Sequence, residues 1–192
     1  SKVSYGGTNL YKDILSHLRD WQICASLDGT GTIGEYIRTG LNYNEWLDNF
    51  KLGIPYAKHP RQLRIDFTLT LPGMFEVIAI DKLAKQLGVD VLAKVIFSFT
   101  SDIVMSPLAL PRNILDAWID ELVPQCSGAL ADVLLQLKQR PTFEEQWPDA
   151  YANGLLRGKT RVLKLESIRA NNITMKDILA ARPDVSRWWN GI

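Results

Sequence analysis

Trp21-Gln22-Ile23-Cys24-Ala25-Ser26-Leu27-Asp28-Gly29-Thr30-Gly31 passes from a mostly apolar run into a polar, glycine-containing break. An acidic, aromatic and basic group, Glu35-Tyr36-Ile37-Arg38, follows within ten residues. This order predicts a buried strand over Trp21 to Leu27 whose carboxyl end delivers Ser26 and Asp28 to a ligand site. In parallel α/β folds, that end of the strands is where ligands bind.

Strand and helix patterns alternate outward from this point. Upstream, Val3 to Tyr5 predicts a short strand before Gly6-Gly7, and Asn9 caps a helix carrying Tyr11, Ile14, Leu15 and Leu18 on one face. Downstream, Asn42 opens a helix with Trp46, Leu47 and Phe50 on one face, ending near Gly53. After Pro55 and Pro60, Leu63 to Leu71 alternates apolar and polar residues, a strand closed by Pro72-Gly73. A helix from Phe75 to Gly88 and a β-branched, aromatic strand from Val89 to Phe99 complete the alternation. Such an order implies a parallel sheet with right-handed crossovers.

Beyond Pro107 and Pro111 only helices are predicted: Asn113–Val123, Ala129–Arg140, a weaker pattern over Phe143–Leu165, and Thr174–Ala181 with a Thr cap. The Trp188-Trp189 pair reads as cover for the chain's own core. Four parallel strands whose edge lies almost at the first residue suggest that earlier strands are missing. The expected architecture is therefore α/β, part of a larger barrel or sheet. Residues 1–108 supply its strands and helices, and 109–192 form a helical extension packed on the same domain.

The chain has 192 residues, 46% of them hydrophobic, enough for a sizeable core. A formal net charge of +1 gives no electrostatic signal for nucleic acid, and no apolar run is long enough to span a membrane. Cys24 and Cys126 read as reduced thiols of a cytoplasmic protein, and with His17 and His59 they show no metal-ligand spacing.

Ile23 to Gly31 with Glu35-Tyr36-Ile37-Arg38 resembles the mid-barrel strand of radical S-adenosylmethionine (radical SAM) enzymes, the twitch-domain-containing subgroup in particular. The likeness continues in Glu45-Trp46-Leu47-Asp48-Asn49-Phe50, Asp66 to Gly73, Ser106 to Pro111 and Leu165-Glu166-Ser167-Ile168-Arg169. It implies the later part of a partial (β/α)6 barrel, with S-adenosylmethionine across the carboxyl ends of the strands. By that resemblance Ser26 and Asp28 hold the ribose hydroxyls, and Arg38 takes the methionyl carboxylate. Thr68 and Thr70 face the cavity, Ser98 lies near the adenine, and Asn9 reaches the same mouth. The family's 4Fe-4S cluster needs a Cys-x3-Cys-x2-Cys loop that this sequence lacks. The expectation is a carboxyl-terminal segment, inactive alone, whose substrate is a peptide, a nucleotide or a small metabolite.

Plainer readings stand beside each residue. Ser26, Asp28 and Gly29 also make a good strand-ending turn. Arg38 can pair with Glu35 across a helical turn, and Thr68 and Thr70 are good strand formers. Arg157, Lys159, Arg161 and Lys164 read as a solvated basic face. Two other functions compete: a non-catalytic half-barrel binding or scaffold protein, and a degenerate haloacid-dehalogenase-like phosphatase, for which Ser26 replaces the nucleophilic Asp.

Overall fold

The computed structural model describes residues 3–96, 103–169 and 172–192. The fold is α/β: a three-stranded parallel sheet with a larger helical part packed against it. Two short strands come first, β1 (Ser4–Tyr5) and β2 (Thr8–Asn9), and they pair with each other antiparallel. The expected first strand of the parallel sheet is corrected here. Gly6 and Gly7 take φ of +56° and +84°, which folds the chain back on itself within two residues. The parallel sheet therefore has three strands among the described residues, not four.

Asn9 caps the next segment as expected, accepting from the Tyr11 and Lys12 N–H groups. That segment is a π-helical turn, Leu10–Ile14, followed by a 3-10 turn, Leu15–His17, rather than a regular α-helix. Strand β3 (Ile23–Ser26) leads into α1 (Gly31–Ile37) and α2 (Tyr43–Lys51). Asn42 caps α2 through the Glu45 N–H. Gly53 is not a left-handed helix terminator. Its missing Cβ makes room for the Tyr11 ring, which would lie 2.4 Å from that atom.

The central strand β4 (Leu63–Leu69) pairs parallel with β3, Ile23 opposite Leu63 and Ser26 opposite Asp66. On its other side it pairs parallel with β5 (Val91–Val95), Ile65 opposite Val91 and Leu69 opposite Val95. The alternation read from the sequence is real: Leu63, Ile65, Phe67 and Leu69 are fully buried, while Arg64, Asp66 and Thr68 lie on the other face, half-exposed. Pro72-Gly73 does not simply end the strand but starts a 3-10 turn, Pro72–Glu76, that runs into α3 (Val77–Leu87). Gly88, at φ +65°, ends α3. Of the predicted strand Val89–Phe99, only the pairing of Val91–Val95 is described; Phe97 to Phe99, with Ser98, lie outside the described residues.

The remaining helices are α4 (Arg112–Leu122), α5 (Gly128–Lys138), α6 (Phe143–Gln146), α7 (Pro148–Arg169), α8 (Met175–Leu179) and α9 (Pro183–Gly191). The weak pattern over Phe143–Leu165 is two helices, because Pro148 cannot donate within α6 and instead opens α7. The stretch Ile103 to Leu110 is almost wholly buried across the end of β4, where the Leu71 N–H donates to the Met105 carbonyl at 2.7 Å. Gly154 and Gly158 of α7 pack on Ile103 and Val104, which a Cβ at either glycine would crowd at 3.1 Å. The apolar face of the sheet and the helices thus share one core. Trp189 is buried in it and Trp188 packs against it, in line with the expected role of the pair.

The other face of the sheet carries Cys24 and Ser26, Arg64, Asp66 and Thr68, Leu92 and Lys94 in adjacent registers. Cys24 on one edge strand and Leu92 on the other are both exposed. Parallel sheets are ordinarily covered on both faces, so this polar, open face is the fold's most unusual property.

Candidate functional site

The carboxyl end of β3 brings together three of the residues singled out in the sequence. Leu27 N–H donates to the Asp66 carbonyl, which keeps the chain paired with β4 one residue past the strand. Asp28 then turns in. Its Oδ1 accepts from the Thr68 N–H at 2.9 Å, and its Oδ2 accepts from Arg38 Nε at 3.1 Å and Nη2 at 2.7 Å. The Asp28 side chain is 8% exposed and that of Arg38 is 41% exposed. Arg38 therefore pairs with Asp28, not with Glu35. Helix α1 stops at Ile37, and Arg38 adopts an extended backbone that carries its side chain off the helix. Glu35 instead accepts from the Tyr43 N–H and ties α1 to α2.

The turn between β3 and α1 is held from below by Glu76. The Thr30 N–H and hydroxyl both donate to Glu76 Oε2, each at 2.6 Å. Gly34 lies so close to this turn that a Cβ there would sit 2.1 Å from the Gly29 oxygen. Glu76 and Gly34 went unnoticed in the sequence. Glu76 meets its partner 46 residues away, and nothing local marks it. Tyr43, beside Glu76, has its phenol pushed up by burial and by that carboxylate's charge.

A cavity of about 520 Å³ opens beside β3. Ile23 to Ser26, Arg38 to Asn42 and the Trp46 face of α2 form its walls, and Leu10 and Tyr11 close one end. Ser26 and Arg38 both line it. Because Ile23 and Leu27 donate to β4, the alternating Cys24 and Ser26 backbone groups point away from β4 to the sheet's free edge.

The other sequence candidates behave differently. Asn9 spends its side-chain oxygen on the cap and does not line the cavity, although Leu10 and Tyr11 do. Thr68 contributes its backbone N–H to Asp28 and lies on the polar face of β4. Thr70 is buried, and its hydroxyl accepts from the Gly73 N–H at 2.9 Å. It shapes the turn after β4 rather than facing the cavity. Ser98 lies outside the described residues.

Two stretches far apart in sequence meet close by. The buried Tyr36 hydroxyl donates to Glu166 Oε1 at 2.7 Å, and the Met175 N–H donates to the same oxygen at 2.6 Å. Burial and the Glu166 hydrogen bond push the Tyr36 phenol far above its ordinary range. Tyr36 thus locks α1 to α7 and α8 and stays protonated.

On the polar face, Lys94 Nζ lies 2.9 Å from both Asp66 oxygens, and Arg64 Nε donates to Cys24 Sγ at 3.3 Å. Cys24 and Cys126 are both free thiols. They sit on β3 and after α4, too few to hold an iron–sulfur cluster, so the donor set does not fit one. No group of three or more His, Cys, Asp or Glu converges among the described residues. No helix of these residues is long and apolar enough to cross a membrane. No protein-family model, curated protein or solved structure matches the chain.

Proposed function

We propose that this chain is the later part of a radical SAM barrel and carries the side chains that bind S-adenosylmethionine. The observation that supports this most is the meeting of Ser26, Asp28 and Arg38 at the carboxyl end of a parallel strand. Ser26 and Arg38 line one cavity, and Arg38 already donates two N–H groups to one carboxylate oxygen, Asp28 Oδ2. A guanidinium with that geometry suits the methionyl carboxylate. Ser26 offers a hydroxyl to a ribose. Asp28 can accept a ribose hydroxyl only after Arg38 turns away, and the half-exposed Arg38 side chain has room to do so.

The open polar face and the free edge of β3 support the incomplete-barrel part of the reading, because a closed barrel leaves neither exposed. S-adenosylmethionine held there would supply 5′-deoxyadenosyl radical chemistry, with an electron from a donor that these residues do not themselves hold. What these residues do is bind and orient it. The remaining strands, the substrate and a cytoplasmic setting belong to the same proposal.

A non-catalytic half-barrel binding protein is the second reading, and the closed Asp28–Arg38 pair favours it, since both Asp28 oxygens are satisfied without a ligand. The same engagement gives a magnesium-dependent phosphatase less support. Titration of S-adenosylmethionine into the chain, followed by backbone amide NMR, decides between the first two. Saturable shifts at Ser26 and around Arg38, lost in Arg38→Ala, are expected. 5′-Methylthioadenosine, which lacks the carboxylate, should bind the wild type and Arg38→Ala alike. An absence of saturable shifts overturns the cofactor-binding reading in favour of the half-barrel binding protein.

A further inference from the structure

Glu76 is a buried acid, 8% exposed, at the end of the 3-10 turn that follows β4 and immediately before α3. Among the described residues its carboxylate is held by one residue, Thr30, whose N–H and hydroxyl converge on the same oxygen at 2.6 Å. Burying a carboxylate on two hydrogen bonds sets a large desolvation cost against a modest gain. An uncharged side chain of the same size would fill the space without that cost. Packing alone therefore gives no reason for an acid here. What the acid adds is direction.

The turn that Glu76 reaches is the one that presents Asp28. Thr30 lies between Gly29 and Gly31, and Gly31 takes φ of +47°. Glycines hold the direction of the backbone least, so an anchor on Thr30 is what fixes the path of the chain from Asp28 into α1. Two hydrogen bonds from one residue fix its orientation as well as its place. The same 3-10 turn supports the neighbouring residues. A Cβ on Gly73 would lie 3.3 Å from the Asp28 carbonyl oxygen, and a Cβ on Gly29 would meet Glu76 Cγ and the Gly34 nitrogen, both at 3.1 Å. From this clamped stretch the Asp28 side chain goes on to the Thr68 N–H and the Arg38 guanidinium.

We propose that Glu76 is a positioning residue, which by holding Thr30 between its two glycines aims the Asp28 carboxylate and, through it, the Arg38 guanidinium. A ligand that meets the pair already aimed loses less affinity to ordering it. That the pair receives S-adenosylmethionine rests on the cofactor-binding reading; the positioning itself does not.

The test is NMR of the whole chain at two protons that Asp28 accepts, the Arg38 Nε–H and the Thr68 amide. Glu76→Met fills the space without an acceptor, and Glu76→Gln keeps one. In Glu76→Met both protons should exchange with water about tenfold faster, the change that one lost hydrogen bond to a charged group amounts to. The Arg38 Nε–H shift should also move toward that of a free guanidinium. Glu76→Gln should restore both. Thr30→Val, which removes one of the two donors, should move the reporters the same way, and Thr30→Ser should not; this pair decides the matter if Glu76→Met does not fold. Leu134→Ala, a buried change on α5, lowers stability elsewhere and should leave the Arg38 shift in place. With ligand, Glu76→Met should bind S-adenosylmethionine and 5′-methylthioadenosine about tenfold more weakly, both alike, because the two share the ribose that Asp28 is to meet. Reporters unmoved in Glu76→Met and Thr30→Val, not restored in Glu76→Gln, or equally displaced in Leu134→Ala overturn the proposal. A wild type that binds neither compound overturns the cofactor-binding reading instead, and the two protons still decide on Glu76.

Discussion

At the scale of single residues, the turn after β3 depends on two contacts that no local pattern reveals. Gly34 has an ordinary helical backbone, so its importance is not conformational freedom but space. An Ala there would bring its Cβ to 2.1 Å from the Gly29 oxygen, a backbone atom that can retreat only by moving the turn. Gly34→Ala should therefore cost about 2–3 kcal/mol, the upper part of the range for forced overpacking. Gly191, also helical, meets nothing within 4 Å. Gly191→Ala should change stability by under about 0.5 kcal/mol, and urea denaturation of the two variants makes the comparison. The carboxylate at Asp28 shows how far the site could be read. Its placement beside a strand end follows from the local break in the pattern. Its partner did not follow, because Glu35 and Asp28 are both plausible neighbours of Arg38 until the helix end is known. Once α1 stops at Ile37, Arg38 leaves the helix surface and only Asp28 is within its reach. Glu76 and Glu166, each meeting its partner 46 or 130 residues away, belong to the part of the site that sequence spacing cannot carry.

At the scale of elements, patterns that depend on near neighbours were legible and those that depend on distant ones were not. The alternation over Leu63–Leu69 predicted a strand with one buried face because the helices cover only that face. Asn9, Asn42 and Thr174 were recognisable caps because a side-chain oxygen needs only a backbone N–H two or three residues ahead. The pairing of β1 with β2 was missed because Gly6-Gly7 reads equally as a break or as a hairpin loop. The edge of the sheet supplies a prediction that belongs to this scale. Ile23 and Leu27 donate into β4, whereas the Cys24 and Ser26 N–H groups face the free edge. Hydrogen exchange should be slow at Ile23 and Leu27 and much faster at Cys24 and Ser26. Equal protection at all four would show that something covers the edge. A second prediction concerns the junction of α4, α5 and α6, where Arg112 reaches Glu145 and Asp116 and also the Lys138 carbonyl. The Arg112 hydrogen bond, with help from the Thr142 N–H, holds the Glu145 carboxyl down at about 2. A carboxylate lowered on folding stabilises the native state above its unfolded value, near 4.5, and loses that contribution as pH falls toward 2. Glu145→Gln should thus be less stable than the wild type at pH 7. The difference should shrink between pH 4.5 and 2, as urea midpoints across that range will test.

At the scale of the whole molecule, the question is whether the sheet and the helical part stand or fall together. The expectation of strands in residues 1–108 and a helical extension in 109–192 describes the order of elements but not their energetics. Phe75, after β4, meets Trp118 of α4 edge to face at 4.6 Å, a geometry that adds to the area the rings bury. Trp118 in turn lies under the Arg182 guanidinium, at 5.0 Å from its ring centre. Tyr36 ties α1 to α7 through Glu166, and Asp81 of α3 accepts from both the N–H and the hydroxyl of Ser127 ahead of α5. These ties cross the supposed boundary at the level of side chains already buried in one core. Exposing either part would uncover apolar faces of the other, so neither part should be stable alone. The chain should unfold in one step. Trp46, on α2, and Trp189, on α9, are both buried and report on the two parts separately. The fluorescence changes that Trp46→Phe and Trp189→Phe each remove from the wild-type signal, to which the buried Trp21 and Trp118 also contribute, should fall at the same urea concentration, coincident with the loss of helix by circular dichroism. If Trp189 is released at lower urea than Trp46, the helical part is a separable unit and the ties through Trp118 and Tyr36 are too weak to couple it to the sheet. Coincident transitions instead mean that the cavity beside β3 is held in shape by residues more than a hundred positions away, Glu166 above all.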